Sequence, residues 1–205
     1  MSINRSASSG IAATLGVDPS FNRTGWALLA GTLHQPSLVA CSAIIPRGSG
    51  RGERLLSIGR QFEGVLRSLR PAVAWFERPG AWQRRGGSRR ETVEAMAMAR
   101  GVMLAACAEL GVEAVEVDVQ AARRALLGRH NAGASSVLEF VRGLGLEPPR
   151  RPRGGVDLDV ANAVLMAAYG LSLSGRAGCP TREVQDRHRA RHRGPATPDP
   201  AVRPT

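Results

Sequence analysis

Short apolar runs broken by glycine, proline and asparagine open the chain. "TLGVD" (Thr14 to Asp18), "WALLAG" and "LVACSAII" (Leu38 to Ile45) are separated by "PSFNRTG" and a second polar stretch. That pattern predicts three strands in an antiparallel meander. From Glu53 the period changes. Leu55, Leu56, Ile58, Phe62, Val65, Leu66 and Leu69 recur at helical spacing, and Pro71 ends the helix. "AVAWFE" (Ala72 to Glu77) is unbroken and apolar until its last residue, as expected of a buried fourth strand. A loop rich in glycine and arginine, "RPGAWQRRGGSRR", leads into a long helix from Glu91 to Leu110. "VEAVEV" reads as a fifth strand, and "VQAARRALLG" and "SSVLEFVRGLG" as two short helices. After the loop "PPRRPRGG", the stretch "GGVDLDVANAVLMAAYG" (Gly154 to Gly170) reads as the final helix. The order βββαβαβααα describes an α/β fold with a mixed five-stranded sheet flanked by helices.

The same pattern sets the domain limits. Residues 1–12 are small and polar and are expected to be disordered. Residues 13–173 carry the periodic segments and form one domain. Residues 174–205 lack apolar periodicity and read as a disordered basic tail, with Arg187, Arg189, Arg191 and Arg193 at close intervals.

Composition narrows the function classes. No apolar run is long enough to span a membrane. The start, "MSINRSASSG", lacks the apolar segment of a secretory signal, so a cytoplasmic location is expected. The three cysteines are odd in number and lack metal-ligand spacing, so they read as ordinary reduced residues. The net charge of +11 comes from 28 basic residues, all of them arginine. From Ser174 onward there are seven arginines against three acids, so most of the excess charge rests on the body. A basic body of this kind points to a polyanionic partner, nucleic acid first.

Against that basic background a few acids stand out by position. Asp18 ends the first strand and Glu77 ends the fourth. A carboxylate at the end of a buried strand is costly unless it is paired or binds a cation. Asp159 stands at the entrance of the last helix. Singly, each reads as a turn cap or a partner of Arg23 or Arg78. Together they suit a magnesium site, because Mg²⁺ takes oxygen ligands and keeps waters, so few carboxylates suffice.

The motifs around these acids resemble the RuvC family of Holliday junction resolvases. "LGVDPSFNRTGWALL" is similar to the family's first motif, and "VAWFE" to its second acidic strand. "AMARGVMLAACAELGVEAVEV", "ARRALLG" and "DVANAVLMA" match its later motifs in order, so the resemblance covers about residues 13–173. It implies a ribonuclease H-like fold and a homodimer that nicks four-way DNA junctions symmetrically in recombination and repair. It also implies two Mg²⁺ ions, with Mn²⁺ as a substitute, held about 3.5–4 Å apart by Asp18, Glu77 and Asp159. In that reading Asp18 bridges both ions and the other two acids hold one each. A branch-migration complex is a candidate partner.

The chain departs from the family pattern at two places. Where a fourth carboxylate is expected, three residues after Asp159, the residue is Asn162. Its position on the same helix face leaves its amide oxygen as a candidate ligand. Asp157 reads as the helix N-cap, with metal ligation as the alternative. Of the two lysines the family usually carries, the first is matched by Arg123, with Arg124 following it, and the second falls near Ala134. Arg84, Arg85, Arg89 and Arg90 in the loop after Glu77 are candidate replacements for DNA contact. Trp82 in the same loop is a candidate for stacking on an unpaired base. Two alternative functions stay open: a catalytically weakened junction- or nucleic-acid-binding protein, and a RuvC-like nuclease acting on another branched DNA or on RNA.

Overall fold

A computed structural model describes residues 13–78, 90–152 and 154–174. Ten elements follow in the order that the apolar pattern predicts. β1 (Ala13–Asp18), β2 (Thr24–Gly31) and β3 (Pro36–Ile44) form the antiparallel meander. Helix α1 (Arg51–Leu69) returns the chain to β4 (Val73–Arg78), which lies parallel to β1. Helix α2 (Arg90–Glu109) leads to β5 (Glu113–Asp118), parallel to β4. α3 (Val119–Leu127), α4 (Ala134–Gly143) and α5 (Leu158–Ser174) complete the domain. The sheet order is β3-β2-β1-β4-β5, so the strand carrying Asp18 is central. Of the terminal segments named above, residues 1–12 and 175–205 lie outside the described residues.

Strand alternation divides the core in two. Leu15 and Val17 of β1, Leu28 of β2, and Ala74 and Phe76 of β4 pack with Ile58, Phe62 and Leu66 of α1 and Met103 of α2. Phe62 meets Phe76 edge to face, with ring centroids 5.8 Å apart. On the opposite face Ala27 and Leu29 of β2 pack with α4 and α5, while Trp75 and Val117 pack with Ala122 of α3 and Met166 of α5. Helix α5 is apolar almost all round because sheet and helices enclose it; ten of its residues are buried.

That enclosure depends on two glycines. A β-carbon at Gly16 of β1 would lie 2.0 Å from the Ala163 carbonyl oxygen. One at Gly25 of β2 would lie 2.1 Å from the Asp159 carbonyl oxygen. Backbone therefore meets backbone where α5 crosses the sheet, and the Thr14 hydroxyl donates to the Ala167 carbonyl at 2.8 Å.

The last helix begins at Leu158, directly after Asp157, which the sequence reads as its N-cap, and the two glycines that open the stretch stay outside it. Gly154 and Gly155 have φ of 87° and 77°, a left-handed conformation that ends regular structure for most other residues. They turn a short hairpin in which Arg150 pairs with Val156, and α5 starts only at Leu158.

Gly16→Ala should destabilise the protein by about 3 kcal/mol or more, since both clashing partners are backbone atoms that cannot step aside. Urea unfolding monitored by far-UV circular dichroism measures it; a loss below about 1 kcal/mol would show that α5 can lift off the sheet cheaply.

Candidate active site

Asp18 and Glu77 come together by register. Val17 pairs with Phe76 in the parallel β1–β4 ladder, so the next residues, Asp18 and Glu77, stand side by side. Each lies two residues beyond a position that faces α5, Gly16 and Trp75 respectively, so both acids face the first turns of α5 and α3. The glycine contacts then bring Asp159 and Asn162 of α5 over them. The Asn162 amide nitrogen donates to Asp18 Oδ2 at 3.1 Å.

The electrostatics are those of a crowded anionic site. Burial, then the neighbouring Glu77 and Asp159 charges, hold the Asp18 carboxyl well above the usual carboxylate range, against the pull of the Asn162 hydrogen bond and Arg123. Burial pushes Glu77 up to about 7, with Arg123 opposing and Asp118 adding to the rise. Burial and Asp157 raise Asp159, while Arg151 and Arg23 lower it. Arg123 of α3 is thus the guanidinium whose charge reaches both Asp18 and Glu77. Arg124, the next residue, is exposed.

Asp159 has other company. Its Oδ2 lies 3.2 Å from Arg23 Nε and 3.7 Å from an Arg151 terminal nitrogen. Arg23 also pairs with Asp157, which is only 2% exposed. Asp157 Oδ1 accepts the Val160 amide at 3.4 Å, so this residue caps α5 while it holds Arg23. The turn that presents Arg23 is itself fixed on both sides. The buried Thr24 hydroxyl donates to the Ser20 carbonyl at 2.8 Å and accepts the Ser20 amide at 3.0 Å. Arg54 of α1 stacks on Phe21, 4.5 Å from the ring centre, and donates to Asn22 Oδ1 at 2.9 Å.

The donor set suits a hard divalent cation. Glu77 Oε2 is buried without a hydrogen-bond partner, and its neighbour on the next strand is another carboxylate. Among the described residues no three acidic, histidine or cysteine side chains converge on one point, because Asp159 is drawn toward its arginines. Asp18 and Glu77 are therefore in place for a cation, and Asp159 stands beside them in other hands.

Comparison with known proteins decides the family. The model of the crossover junction endodeoxyribonuclease RuvC matches residues 14–168, most of the chain. The chain belongs to the RuvC family. The crossover junction endodeoxyribonuclease RuvC of Synechococcus sp. strain WH7803 is 31% identical over 159 residues, which cover 76% of this chain and 96% of that protein. The enzyme of the same description from Nitratidesulfovibrio vulgaris strain DP4 is 33% identical, with 65% of this chain and 78% of the relative covered. The fold matches that of Thermus thermophilus RuvC in complex with a Holliday junction substrate at a TM-score of 0.65 and 23% identity, over 77% of this chain and 92% of that one. It also matches the yeast mitochondrial Holliday junction resolvase Ydc2, at a TM-score of 0.55 and 12% identity, over 78% of each chain.

Within this RuvC-family chain, the structure brings together Asp18, Glu77, Asp159, Asn162 and Arg123, and it places Asp157 at the cap. Trp82, Arg84, Arg85 and Arg89, with the side chain of Arg90, lie outside the described residues. Three residues of the site escape the motif reading. Asp118 ends β5 as Asp18 ends β1, with Glu77 one residue before the end of β4, and that placement at the strand ends is the signal for it; its side chain caps α3 through the Gln120 amide at 2.9 Å. Arg23 reads in the sequence as an ion-pair partner of the strand-end acids, but the fold gives it to Asp157 and Asp159, and Arg151 carries no signal because it meets Asp159 only through the tertiary fold.

Two outcomes follow from these contacts. Arg23→Leu strands the buried Asp157 charge and should cost roughly 3–5 kcal/mol in urea unfolding, largely recovered in the double variant Arg23→Leu with Asp157→Asn. A recovery below about 1 kcal/mol would mean that Arg23 acts through something other than Asp157. Glu77 holds its proton up to about pH 7 in the fold but releases it near 4.5 when unfolded. Between those values the folded state binds more protons, so metal-free stability falls as pH rises from about 4.5 to about 7. Thermal melting in chelator across that window should show the decline, and Glu77→Gln should make it shallower.

Proposed function

We propose that this protein is a divalent-metal-dependent endonuclease that nicks four-way DNA junctions on two strands symmetrically, as a homodimer, in recombination and repair. The observation that carries the reading is the side-by-side placement of Asp18 and Glu77 at the ends of paired parallel strands, with α5 bringing Asp159 over them. Membership of the RuvC family supplies the substrate class, and the net charge of +11 agrees with a polyanionic partner.

The chain's own residues divide the work. Asp18, Glu77 and Asp159 are the ligands for Mg²⁺, with Mn²⁺ as a substitute, and Asp18 is central among them. The bound ions supply Lewis acidity that makes water nucleophilic at neutral pH and stabilises the leaving 3′-oxygen. A water oxygen forms the new bond to phosphorus, the P–O3′ bond breaks, and the products carry a 5′-phosphate and a 3′-hydroxyl. Arg123 stands beside the acids, where it lowers the negative charge that a phosphodiester must approach, and Arg124 offers an exposed phosphate contact. Asn162 hydrogen-bonds Asp18 and so orients the central carboxylate.

The test separates catalysis from binding. Wild-type protein with Mg²⁺ or Mn²⁺ should cleave a mobile four-way junction and leave linear duplex intact. Asp18→Asn should lower the cleavage rate by at least about 10³-fold, as loss of a central catalytic group does. It should bind the junction as well as wild type or better, because one negative charge is gone from the DNA-facing site. A wild-type protein that binds the junction but leaves it whole with either metal supports the weakened binding protein instead; selective cleavage of RNA or of three-way DNA supports a nuclease with another substrate.

A further inference from the structure

Arg151 is the exposed member of the group around Asp159. It sits on the hairpin before α5, which backbone hydrogen bonds hold in shape. The Arg151 amide donates to the Gly155 carbonyl at 3.0 Å, the Gly154 amide returns to the Arg151 carbonyl at 2.9 Å, and the Asp157 amide donates to the Pro149 carbonyl at 2.7 Å. The hairpin therefore stays put whatever the arginine side chain does. That side chain is 49% exposed and lies 3.7 Å from Asp159 Oδ2, beyond hydrogen-bond range. Arg23 differs on every count: it is 21% exposed, it pairs with the buried Asp157, and the turn that carries it is braced from two sides.

We propose that Arg151 is a positioning residue shared between Asp159 and a backbone phosphate of the DNA. In the free protein its charge offsets the Asp159 carboxylate. An arriving phosphate draws the guanidinium away and leaves Asp159 with Arg23 as its remaining arginine partner, so less positive charge opposes a divalent cation there. The inference rests on the nuclease reading of the site and adds to it a coupling between DNA binding and metal uptake. The chemistry favours the exchange. An ion pair this exposed and this long is weak. A phosphate offers the guanidinium a bidentate partner, which Asp159 in its present pose does not. The neutral Asn162 gives the coupling its effect. With three acids rather than four around the cation, the charge state of Asp159 matters more to the affinity.

The test reads metal and DNA separately. Mn²⁺ uptake by the free protein is followed by electron paramagnetic resonance for wild type, Arg151→Ala, Arg151→Lys and Asp159→Asn. Arg151→Ala should bind Mn²⁺ about two- to five-fold more tightly than wild type, the range expected for removal of one exposed counter-charge. Four-way junction affinity is measured in chelator over a range of salt. There Arg151→Ala should bind more weakly, and its slope of log affinity against log salt should be shallower by about 0.9. Arg151→Lys keeps the charge and should match wild type in Mn²⁺ uptake and in salt slope, with junction affinity between wild type and Arg151→Ala because an ammonium lacks the bidentate fork, a pattern that a purely structural role for the arginine would not produce. If Arg151→Ala leaves Mn²⁺ affinity unchanged while Asp159→Asn weakens it, the coupling is wrong and the nuclease reading stands. Unchanged junction affinity and slope in Arg151→Ala would also overturn the coupling. If Asp159→Asn and wild type take up Mn²⁺ alike, the assignment of the metal site falls and the coupling falls with it.

Discussion

The contact of α5 with the two central strands is the constraint on which the site depends. Gly16 and Gly25 remove the side chains that would hold a helix at ordinary distance from a sheet, and the alanine-rich face of α5 closes the gap. The result is more than dense packing. Asp159 and Asn162 belong to the helix, Asp18 and Glu77 to the strands, and only this close crossing brings them within electrostatic reach. A helix standing a few ångströms further out would keep its core and lose its chemistry. The same crossing explains why Thr14 is buried and polar at once: its hydroxyl bonds the helix backbone where a larger apolar side chain would have no room.

Once the acids are so placed, their repulsion has to be met. Among the described residues, arginines from three different segments meet it: Arg23 from the β1–β2 turn, Arg123 from α3 and Arg151 from the hairpin before α5. They differ in permanence. Arg23 is tied to a buried carboxylate and to the helix cap, so it belongs to the fold as much as to the site. Arg123 reaches Asp18 and Glu77 by charge and has a buried Nε without a hydrogen-bond partner. Arg151 is half in solvent. A gradation from fixed to exchangeable counter-charge suits a site that must remain folded without a cation and still admit one.

Much of this was legible in the sequence because the periodic signals were local. The order of ten elements, the mixed sheet and the strand-terminal positions of Asp18 and Glu77 follow from runs of six to twenty residues. The start of α5 was legible in part: Asp157 reads as its N-cap and caps it, while left-handed backbone at Gly154 and Gly155 puts those two residues in a hairpin before the helix. Arg23 was legible as an ion-pair candidate, but its partners Asp157 and Asp159 were not. It lies 134 residues from Asp157, and no spacing rule connects a turn arginine to a helix cap across that interval. Asp118 falls between these cases. It shares the strand-end position of the other acids, but the alternation that puts Glu77 beside Val117 in the ladder hides how close the two carboxylates come in charge.

Asn162 changes the meaning of the site more than any other residue. A carboxylate at that place would add a further negative charge beside Asp18, whose carboxyl is already held well above its usual range. The amide does the reverse, donating to Asp18 and favouring its charged form. The amide therefore trades a negative charge beside Asp18 for a hydrogen bond to it. Such a trade has a cost in cation affinity, because a neutral amide oxygen attracts a hard cation less than a carboxylate does. Asp118 adds negative charge near Glu77 from the end of β5, but its side chain caps α3, so it raises the Glu77 carboxyl without bringing a third acid onto one point among the described residues. The charge at the sheet ends is therefore set by β1, β4 and β5 together, while α5 supplies the close crossing and the hydrogen bond that prepares Asp18.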